Sequence, residues 1–343
     1  MPAMADRFRP GPLNLITDVA GVTVGHATDE RAQTGVTTLL CDGFWRAGVD
    51  VRGGGPGVRE TETLSPENLV GRAHAIVLSG GSVFGLAAAD GVVAGLSARG
   101  VGMTLKPDTP ATPIVPSAVL YDLANPGDKA WGEDPPYREL GRRTLEGLAR
   151  TFALGAVGAG RGAMAGLVKG GIGSTSLDLG EGLMVGALVA ANPVGSALMP
   201  DGTTFWAWPF EQDGEFGGAR PGADVQAFDP APDQARLTVR GRLQPGANTV
   251  LGVVATTADL TTAECKRVAM MAHDGLARAV RPAHTPFDGD TIFALASGAC
   301  AIGSGAARDM ELARIGSAAA DCMARAIARG VYLSSPGPAG RGT

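Results

Sequence analysis

Short, uninterrupted apolar runs recur along this chain and constrain its fold more than any other feature. Residues 75–78, 183–191 and 249–255 are aliphatic or small without the alternation of a strand that has one face in water. A strand of this kind needs cover on both faces. The runs therefore predict a sheet structure packed between helix layers, although the order of elements along the chain does not fix the topology.

Helical periodicity and capping signals predict where those helix layers come from. The clearest signal is Thr261-Thr262-Ala263-Glu264, a capping box that should start a helix reaching about residue 280. Further helices are predicted over residues 83–99, with Ser82 as N-cap, and over 138–153 and 306–329. Residues 12–25 are expected to form two short strands, and the polar, Pro- and Gly-rich stretch 201–246 a long mobile connection.

Composition and charge exclude several classes of protein. Glycine accounts for 52 of 343 residues without a collagen period, which indicates tight turns and close backbone contacts around a site. A net charge of −5, with no Lys/Arg cluster, argues against nucleic-acid binding. No charge-free apolar run approaches the ~18 residues of a membrane span, and the N-terminus lacks an apolar signal core. We expect a cytoplasmic protein whose four cysteines are reduced thiols.

The usual catalytic motifs are missing from the sequence. It contains no phosphate-binding G-x-x-x-x-G-K-[ST], no strict G-x-G-x-x-G, no G-x-S-x-G and no H-E-x-x-H. The four histidines, His26, His74, His273 and His284, do not share metal-ligand spacing. The sequence therefore predicts neither a metal site nor an organic cofactor.

One junction stands out, because Asn248-Thr249 joins the long polar stretch to a buried apolar run. With the downstream segment MAHDGLARAVRPAHTPFDGDTIFALASG (271–298), this junction resembles the DmpA-like family of self-cleaving aminopeptidases and amidases (peptidase family S58). That family includes the nylon-oligomer hydrolases. Further segments that carry the resemblance are ITDVAGVTVGHATD (16–29), TGVTTLL (34–40), DVRGGGPGVRET (50–61), HAIVLSGGSVFGLAAADGV (74–92), SAVLYDL (117–123) and ANPVGS (191–196).

The resemblance implies an αββα sandwich and an N-terminal-nucleophile mechanism. The precursor would break its own chain between Asn248 and Thr249, leaving an α chain of residues 1–248 and a β chain of residues 249–343. Both chains would stay in one domain spanning about residues 14–333. The family's substrates imply a small peptide or amide as substrate, with no nucleic acid and no membrane as partner. The family also implies a homo-oligomer, often a tetramer.

The resemblance also implies the site residues. In the nylon-oligomer branch a threonine nucleophile is assisted by a lysine, an asparagine and two aspartates, which match Thr249, Lys169, Asn192, Asp288 and Asp290. The family's tyrosine near the oxyanion site matches Tyr121. We further expect one loop at the start of a helix to line the substrate pocket and offer backbone N–H groups to an anion. Its residues are Ser79, Gly80, Gly81 and Ser82.

Each of these residue types suits a role in amide hydrolysis. A free Thr249 α-amine, with an ordinary pKa near ~7.7–8.0, could take the proton from its own hydroxyl. Before cleavage Lys169 is the candidate base. The Asn192 amide could donate to an oxyanion or position Thr249, and the two aspartates could hold the Lys169 ammonium and the Thr249 amine.

Plainer interpretations of the same residues stay open beside these roles. Asn192, Asp288 and Asp290 are also ordinary turn residues, and Tyr121 is equally suited to packing. His273 and His284 are expected to be structural or surface residues, because this mechanism needs no imidazole.

Several functions remain open at this point. An aminopeptidase acting on small peptides or amides leads. An Asn–Thr junction followed by Asp-Gly-Asp resembles the nylon-hydrolase branch, whereas the aminopeptidase branch typically cleaves Gly–Ser. The alternative is therefore an endo-hydrolase of 6-aminohexanoate oligomers. Acyl transfer of the ornithine acetyltransferase kind shares the cleavage strategy but not the motifs. An uncleaved, inactive scaffold or binding protein is the alternative from another class.

Overall fold

The computed structural model of the chain describes residues 8–225, 229–238 and 248–334. The strands are β1 (Val22–Asp29), β2 (Thr34–Val51), β3 (Val58–Arg59), β4 (Arg72–Ser79), β5 (Ser117–Val119), β6 (Met164–Ala165), β7 (Val168–Lys169), β8 (Gly171–Asp178), β9 (Met184–Asn192), β10 (Thr249–Ala258) and β11 (Thr291–Cys300). The α-helices are α1 (Ala88–Ala98), α2 (Tyr137–Thr144), α3 (Thr262–Ala279) and α4 (Gly305–Ser334).

Nine strands form one hydrogen-bonded network. Its order is β3-β5-β4-β2-β11-β10-β9-β8, with β1 paired to β2, while β6 and β7 form a separate two-stranded ribbon. The 18-residue β2 links the two halves of the network, since its first half pairs with β1 and β4 and its last residues pair with β11. The pairing of β2 with β4 shifts register between Leu40 and Trp45, where the strand passes from one half to the other.

Side-chain alternation divides the core into three hydrophobic layers. On β10, Val250 and Val254 face α3 and α4, whereas Leu251 and Val253 face a central layer that also holds Leu39 of β2. A third layer lies between α1, α2 and the outer faces of β2 and β4. Successive residues of a strand point to opposite faces. Each half of the sheet therefore has a hydrophobic layer packed against both of its faces. The αββα sandwich is confirmed, and so is the prediction that the apolar strands are covered on both faces.

The helix prediction is confirmed most clearly where the sequence contains a capping box. The Thr261 hydroxyl accepts the Glu264 N–H at 3.2 Å, and the Glu264 carboxylate accepts the Thr261 N–H at 2.7 Å, so the capping box starts α3 as predicted. Ser82 is not an N-cap, because it lies inside a 3₁₀ segment, Ser82–Ala87, with φ +51° and makes no side-chain cap bond. Helix α2 ends at Thr144, much earlier than predicted.

Two predictions for polar segments are wrong for local reasons. Only one strand forms within residues 12–25, because the Asp18 carboxylate accepts the N–H groups of Leu13 and Leu15 and closes a turn there. The described part of the 201–246 stretch is packed rather than a loose connection: Phe205 and Phe216 are buried in the layer under α4. The Glu215 carboxylate also forms a buried ion pair with Arg325 at 2.5 Å.

Within the described ranges, no helix is both long enough and apolar enough to span a membrane. The four cysteines are free thiols in the structure.

Candidate active site

Three strand ends meet at one edge of the sheet and bring the central site residues together. Strand β9 ends at Asn192, which lies opposite Thr249, the first residue of the antiparallel neighbour β10. Asn248 forms a bridge with Asp288, just before β11, which runs parallel to β10. Asn192, Asn248, Thr249 and Asp288 are all at most 2% exposed. The predicted nucleophile, asparagine and aspartates therefore share one buried corner.

The peptide carbonyl of Asn248 is contacted from two sides. The Thr249 hydroxyl Oγ1 lies 2.5 Å from the Asn248 carbonyl oxygen, and the Gly289 backbone N–H donates to the same oxygen at 2.9 Å. The side-chain amide of Asn248 is buried and has no hydrogen-bond partner among the described residues. The hydroxyl of the predicted nucleophile and a backbone N–H thus both donate to the carbonyl oxygen of the bond at which the resemblance places cleavage.

The two aspartates brace backbone on either side of this bond. Asp288 accepts the Val194 N–H through Oδ1 at 3.1 Å, and the Thr285 N–H and hydroxyl through Oδ2. Asp290 accepts the Val250 N–H through Oδ1 at 2.8 Å. Neither carboxylate forms an ion pair with Lys169 in the uncleaved chain, so here they hold the loop and the start of β10 rather than the lysine ammonium.

Burial shifts the pKa of Asp290, which is 1% exposed. Desolvation raises the pKa of its carboxyl, the hydrogen bond with His284 opposes that rise, and the nearby Asp288 charge adds to it. The contact with His284 joins Nδ1 to the free oxygen Oδ2 at 2.6 Å. His284 was expected to be structural or at the surface, and no motif pointed to this contact.

The side-chain amide of Asn192 bonds backbone through both of its polar atoms. Its Nδ2 donates to the Tyr121 carbonyl oxygen at 3.1 Å, and its Oδ1 accepts the Met164 N–H at 2.9 Å. This arrangement places Tyr121 beside the site, half-buried, and fixes which way the Asn192 amide points. In the uncleaved chain the Asn192 side chain thus bonds Tyr121 and Met164 rather than Thr249, and both roles expected for it, donating to an oxyanion and positioning Thr249, stay predictions.

Arg236 is a site residue that the sequence did not reveal. Its Nη2 donates to the carbonyl oxygens of Met164 at 2.6 Å and Pro193 at 2.8 Å, and lies 3.3 Å from Asn192 Oδ1. Burial lowers the pKa of its guanidinium to about 10, and the Asp288 charge opposes that drop. Arg236 lies in the polar stretch, where neither periodicity nor a motif marks it. It adds a half-buried positive charge near Asp288.

Lys169 is linked to the site through its strand partner Met164. It ends β7 and pairs with Met164, whose N–H is held by Asn192. Across the described ranges, its ammonium has no hydrogen-bond or ion-pair partner. The structure thus puts Lys169 next to the site without joining it to Thr249, and its role as a base stays a prediction.

The Ser79–Ser82 loop does not offer the backbone donors expected of it. The N–H groups of Gly80, Gly81 and Ser82 donate to Gly35 O, Asp122 Oδ1 and Leu120 O respectively. Because these donors are used within the chain, the expected anion cradle is not formed by them. The loop still adjoins the site through Leu120, which precedes Tyr121, so any substrate contact there depends on side chains.

No group of three or more His, Cys, Asp or Glu side chains in the described ranges is arranged to hold a metal ion.

Comparisons with known proteins identify the family of the chain. The family model described as Peptidase family S58 matches residues 14–341. A protein of Mycobacterium tuberculosis named as an uncharacterized aminopeptidase is 42% identical over 342 residues, covering 94% of this chain and 95% of that protein. A 6-aminohexanoate-oligomer endohydrolase of an Agromyces species is 31% identical over 287 residues, covering 81% and 73%.

Solved structures show the same fold. A β-aminopeptidase of a Burkholderia species matches with a TM-score of 0.67 and 25% identity, over 94% of this chain and 87% of that one. The L-aminopeptidase D-Ala-esterase/amidase of Ochrobactrum anthropi, described as a variant of the Ntn-hydrolase fold, matches with a TM-score of 0.69 and 22% identity, over 95% and 88%. The chain therefore belongs to peptidase family S58 and is a hydrolase of peptide or amide bonds with the Ntn-hydrolase fold.

Proposed function

We propose that this protein is a self-processing aminopeptidase that cuts its own chain between Asn248 and Thr249 and then uses Thr249 as its nucleophile. The observation that carries the proposal is the contact geometry of that peptide bond. The Thr249 hydroxyl and the Gly289 N–H both reach the Asn248 carbonyl oxygen, at 2.5 and 2.9 Å, inside a buried corner.

Self-cleavage follows as an N-to-O acyl shift. Thr249 Oγ1 attacks the Asn248 carbonyl carbon and gives up its proton to a base, for which Lys169 is the candidate. The oxygen that becomes negative is the one that already accepts the Gly289 N–H, which makes that donor part of an oxyanion hole. Collapse breaks the C–N bond and protonates the Thr249 nitrogen. Water then hydrolyses the ester to an Asn248 carboxylate and a free Thr249.

The same residues serve hydrolysis after cleavage. The new α-amine of Thr249 takes the proton of its own hydroxyl, which attacks the substrate carbonyl carbon. The α-ammonium returns that proton to the substrate nitrogen, the C–N bond breaks and the amine leaves, and water then hydrolyses the acyl-enzyme ester. Asn192 stays opposite Thr249 across the β9–β10 ladder, and Asp290 stays bonded to the Val250 N–H, so strand pairing continues to hold the nucleophile. Amide hydrolysis thus takes place at the same residues, which the pairing of the strands already holds in position.

The substrate class rests on two different observations. The 42% identical relatives named as aminopeptidases cover nearly the whole chain, which favours release of N-terminal residues from small peptides or amides. Asp288-Gly289-Asp290 and the 31% identical oligomer hydrolases favour 6-aminohexanoate oligomers as a second candidate. A cytoplasmic location and a homo-oligomer, often a tetramer in the family, stay predictions of the resemblance.

A matched substrate panel tests the proposal. The processed enzyme is assayed with L-aminoacyl amides, with the same amides N-acetylated, and with 6-aminohexanoate oligomers, beside Thr249→Ala as the blank. An aminopeptidase hydrolyses the free-amine amides and not the acetylated ones. Hydrolysis of the oligomers alone would support the second candidate. A processed enzyme that hydrolyses none of them would contradict both.

A further inference from the structure

His284, a residue with no assigned role, makes a short side-chain contact to one of the site carboxylates. Its Nδ1 lies 2.6 Å from Asp290 Oδ2, and the other oxygen of that carboxylate accepts the Val250 N–H. Val250 directly follows Thr249. The imidazole is therefore linked to the nucleophile through one carboxylate and one peptide unit.

The backbone at His284 is unusual in a way that favours this contact. Its φ is +53°, in the left-handed region that non-glycine residues seldom occupy. Such a conformation persists where surrounding contacts determine it, and it is a pointer to function when it occurs at a site. Here the contact that it serves is the one between the ring and Asp290.

A second histidine packs against the imidazole ring of His284. His273 of α3 stands edge-on to His284, with ring centroids 4.9 Å apart, and its Nε2 lies 3.2 Å from the Asp50 carbonyl oxygen. Burial, with a smaller contribution from His284, lowers the pKa of His273 to about 4, so His273 stays neutral near pH 7. His273 therefore adds no charge that would compete for Asp290.

The remaining charges near the pair come from the same loop and from two other segments of the chain. Asp288 lies on the same loop, and Arg236 faces Asp288 from the polar stretch. Asp50 and Arg52 lie at the end of β2, paired with each other at 2.8 Å, and the Arg52 N–H donates to the Asp290 carbonyl oxygen at 2.7 Å. Within the described ranges, His284 is the only side chain that hydrogen-bonds the Asp290 carboxylate.

We propose that His284 is a positioning residue for the nucleophile: it shares a proton with Asp290 and so keeps that carboxylate bound to the Val250 N–H next to Thr249. This inference rests on the proposed function. Without a donor at His284, the free oxygen of a buried carboxylate has no partner, and Asp290 turns or takes up a proton and becomes a weaker acceptor. Thr249 then shifts relative to the Asn248 carbonyl. A displacement of about 1 Å at a nucleophile can cost ~10²-fold in rate.

An isosteric pair of variants isolates the donor. His284→Asn and His284→Asp have the same size, and both residues tolerate a positive φ better than most. Asn places an N–H close to the position of Nδ1, whereas Asp places a second carboxylate oxygen there. We expect His284→Asn to self-cleave within about tenfold of the wild type and His284→Asp to be slower by about 10²-fold at pH 8.

The pH profile separates positioning from a general loss of structure. Two facing carboxylates can share one proton, so the rate of His284→Asp should approach that of His284→Asn as the pH falls towards 5. A purely structural role predicts no such convergence. Equal rates for the two variants across the pH range would overturn the proposal, and so would a parallel loss in both.

Chemical rescue provides an independent measurement. His284→Gly tolerates the backbone and leaves room for an added imidazole. We expect imidazole to restore at least about tenfold of the lost rate in His284→Gly and none in Thr249→Ala. His284→Gly at the wild-type rate, or without rescue, would overturn the role of His284. Failure of the wild type itself to split would instead contradict the proposed function.

Discussion

The Gly289 N–H donates to the carbonyl oxygen of Asn248 at 2.9 Å, and that oxygen belongs to the peptide bond before Thr249. The donor is a backbone group held by a loop with Asp288 on one side and Asp290 on the other. The two carboxylates fix this loop through Val194, Thr285 and Val250. In the uncleaved chain the two carboxylates thus hold the loop whose backbone donor bonds the Asn248 carbonyl, at the proposed cleavage site.

Gly289→Ala should slow self-cleavage while the chain still folds. A Cβ at residue 289 would lie 2.4 Å from the Gly55 carbonyl oxygen, so the loop must move and take its N–H with it. Loss of one oxyanion donor costs about 10²–10³-fold in rate. The time course of precursor disappearance measures the effect. Gly147→Ala, where no atom lies within 4 Å of the added Cβ, is the matched control and should cleave at the wild-type rate.

Asn248→Ala should leave self-cleavage within about tenfold of the wild type. The buried amide of Asn248 has no hydrogen-bond partner among the described residues, so the attack by Thr249 does not depend on it. The variant also separates two chemistries. If the Asn248 amide instead attacked its own carbonyl and formed a succinimide, Asn248→Ala would not split, and mass spectrometry of the variant would show the full-length chain.

Arg236→Met should weaken both stability and self-cleavage. The change removes charged hydrogen bonds to the Met164 and Pro193 carbonyls, each worth about 1.5–3 kcal/mol. Urea unfolding in the uncleaved Thr249→Ala background measures the loss. Arg31→Met, at an ion pair with Asp128 that is exposed on both sides, is the control and should cost clearly less than Arg236→Met. Equal costs for the two variants would contradict the anchoring role of Arg236.

Acid should destabilise the fold partly through His26. Burial lowers the pKa of His26 to about 4, so between about pH 6.5 and pH 4 the unfolded chain binds a proton that the folded chain does not. Stability that is present at pH 7 is therefore lost as the pH falls through that window. From pH 7 to pH 5 this one group should cost about 2 kcal/mol.

His26→Asn tests that estimate, because Asn can still bond the Thr37 hydroxyl but cannot take up a proton. In the Thr249→Ala background, the free energy of unfolding of His26→Asn should fall less between pH 7 and pH 5 than that of its parent. An identical fall in both proteins would show that His26 does not contribute.

The sequence predicts those parts of the site that lie at the ends of strands marked by apolar runs. Thr249, Asn192 and Asp288 each adjoin an apolar run, and the family resemblance gave these residues roles that spacing alone does not. Strand pairing then brings them together, since Asn192 lies opposite Thr249 and Asn248 opposite Asp288. The layered fold follows from the same apolar runs.

Other parts of the site have no local signal. The Gly289 donor is a backbone group, and Arg236 lies in a stretch without periodicity, so only tertiary structure brings them to the bond. The packing of residues 201–225 depends on Phe205 and Phe216, and Phe205 belongs to an aromatic run with Trp206, Trp208 and Phe210 that the polar composition of the whole stretch conceals. The Ser79–Ser82 loop shows the converse error, because its glycine pattern suggested free donors that the fold uses internally.

The intact mass of freshly purified protein, beside Thr249→Ala, tests the central claim most directly. Scaling 34.6 kDa by 248 and by 343 − 248 = 95 of the 343 residues predicts fragments of about 25 and about 10 kDa, the smaller beginning at Thr249. The account predicts these two masses for the wild type and a single full-length mass for Thr249→Ala. A wild-type chain that stays whole, or a Thr249→Ala chain that splits at the same bond, would contradict it.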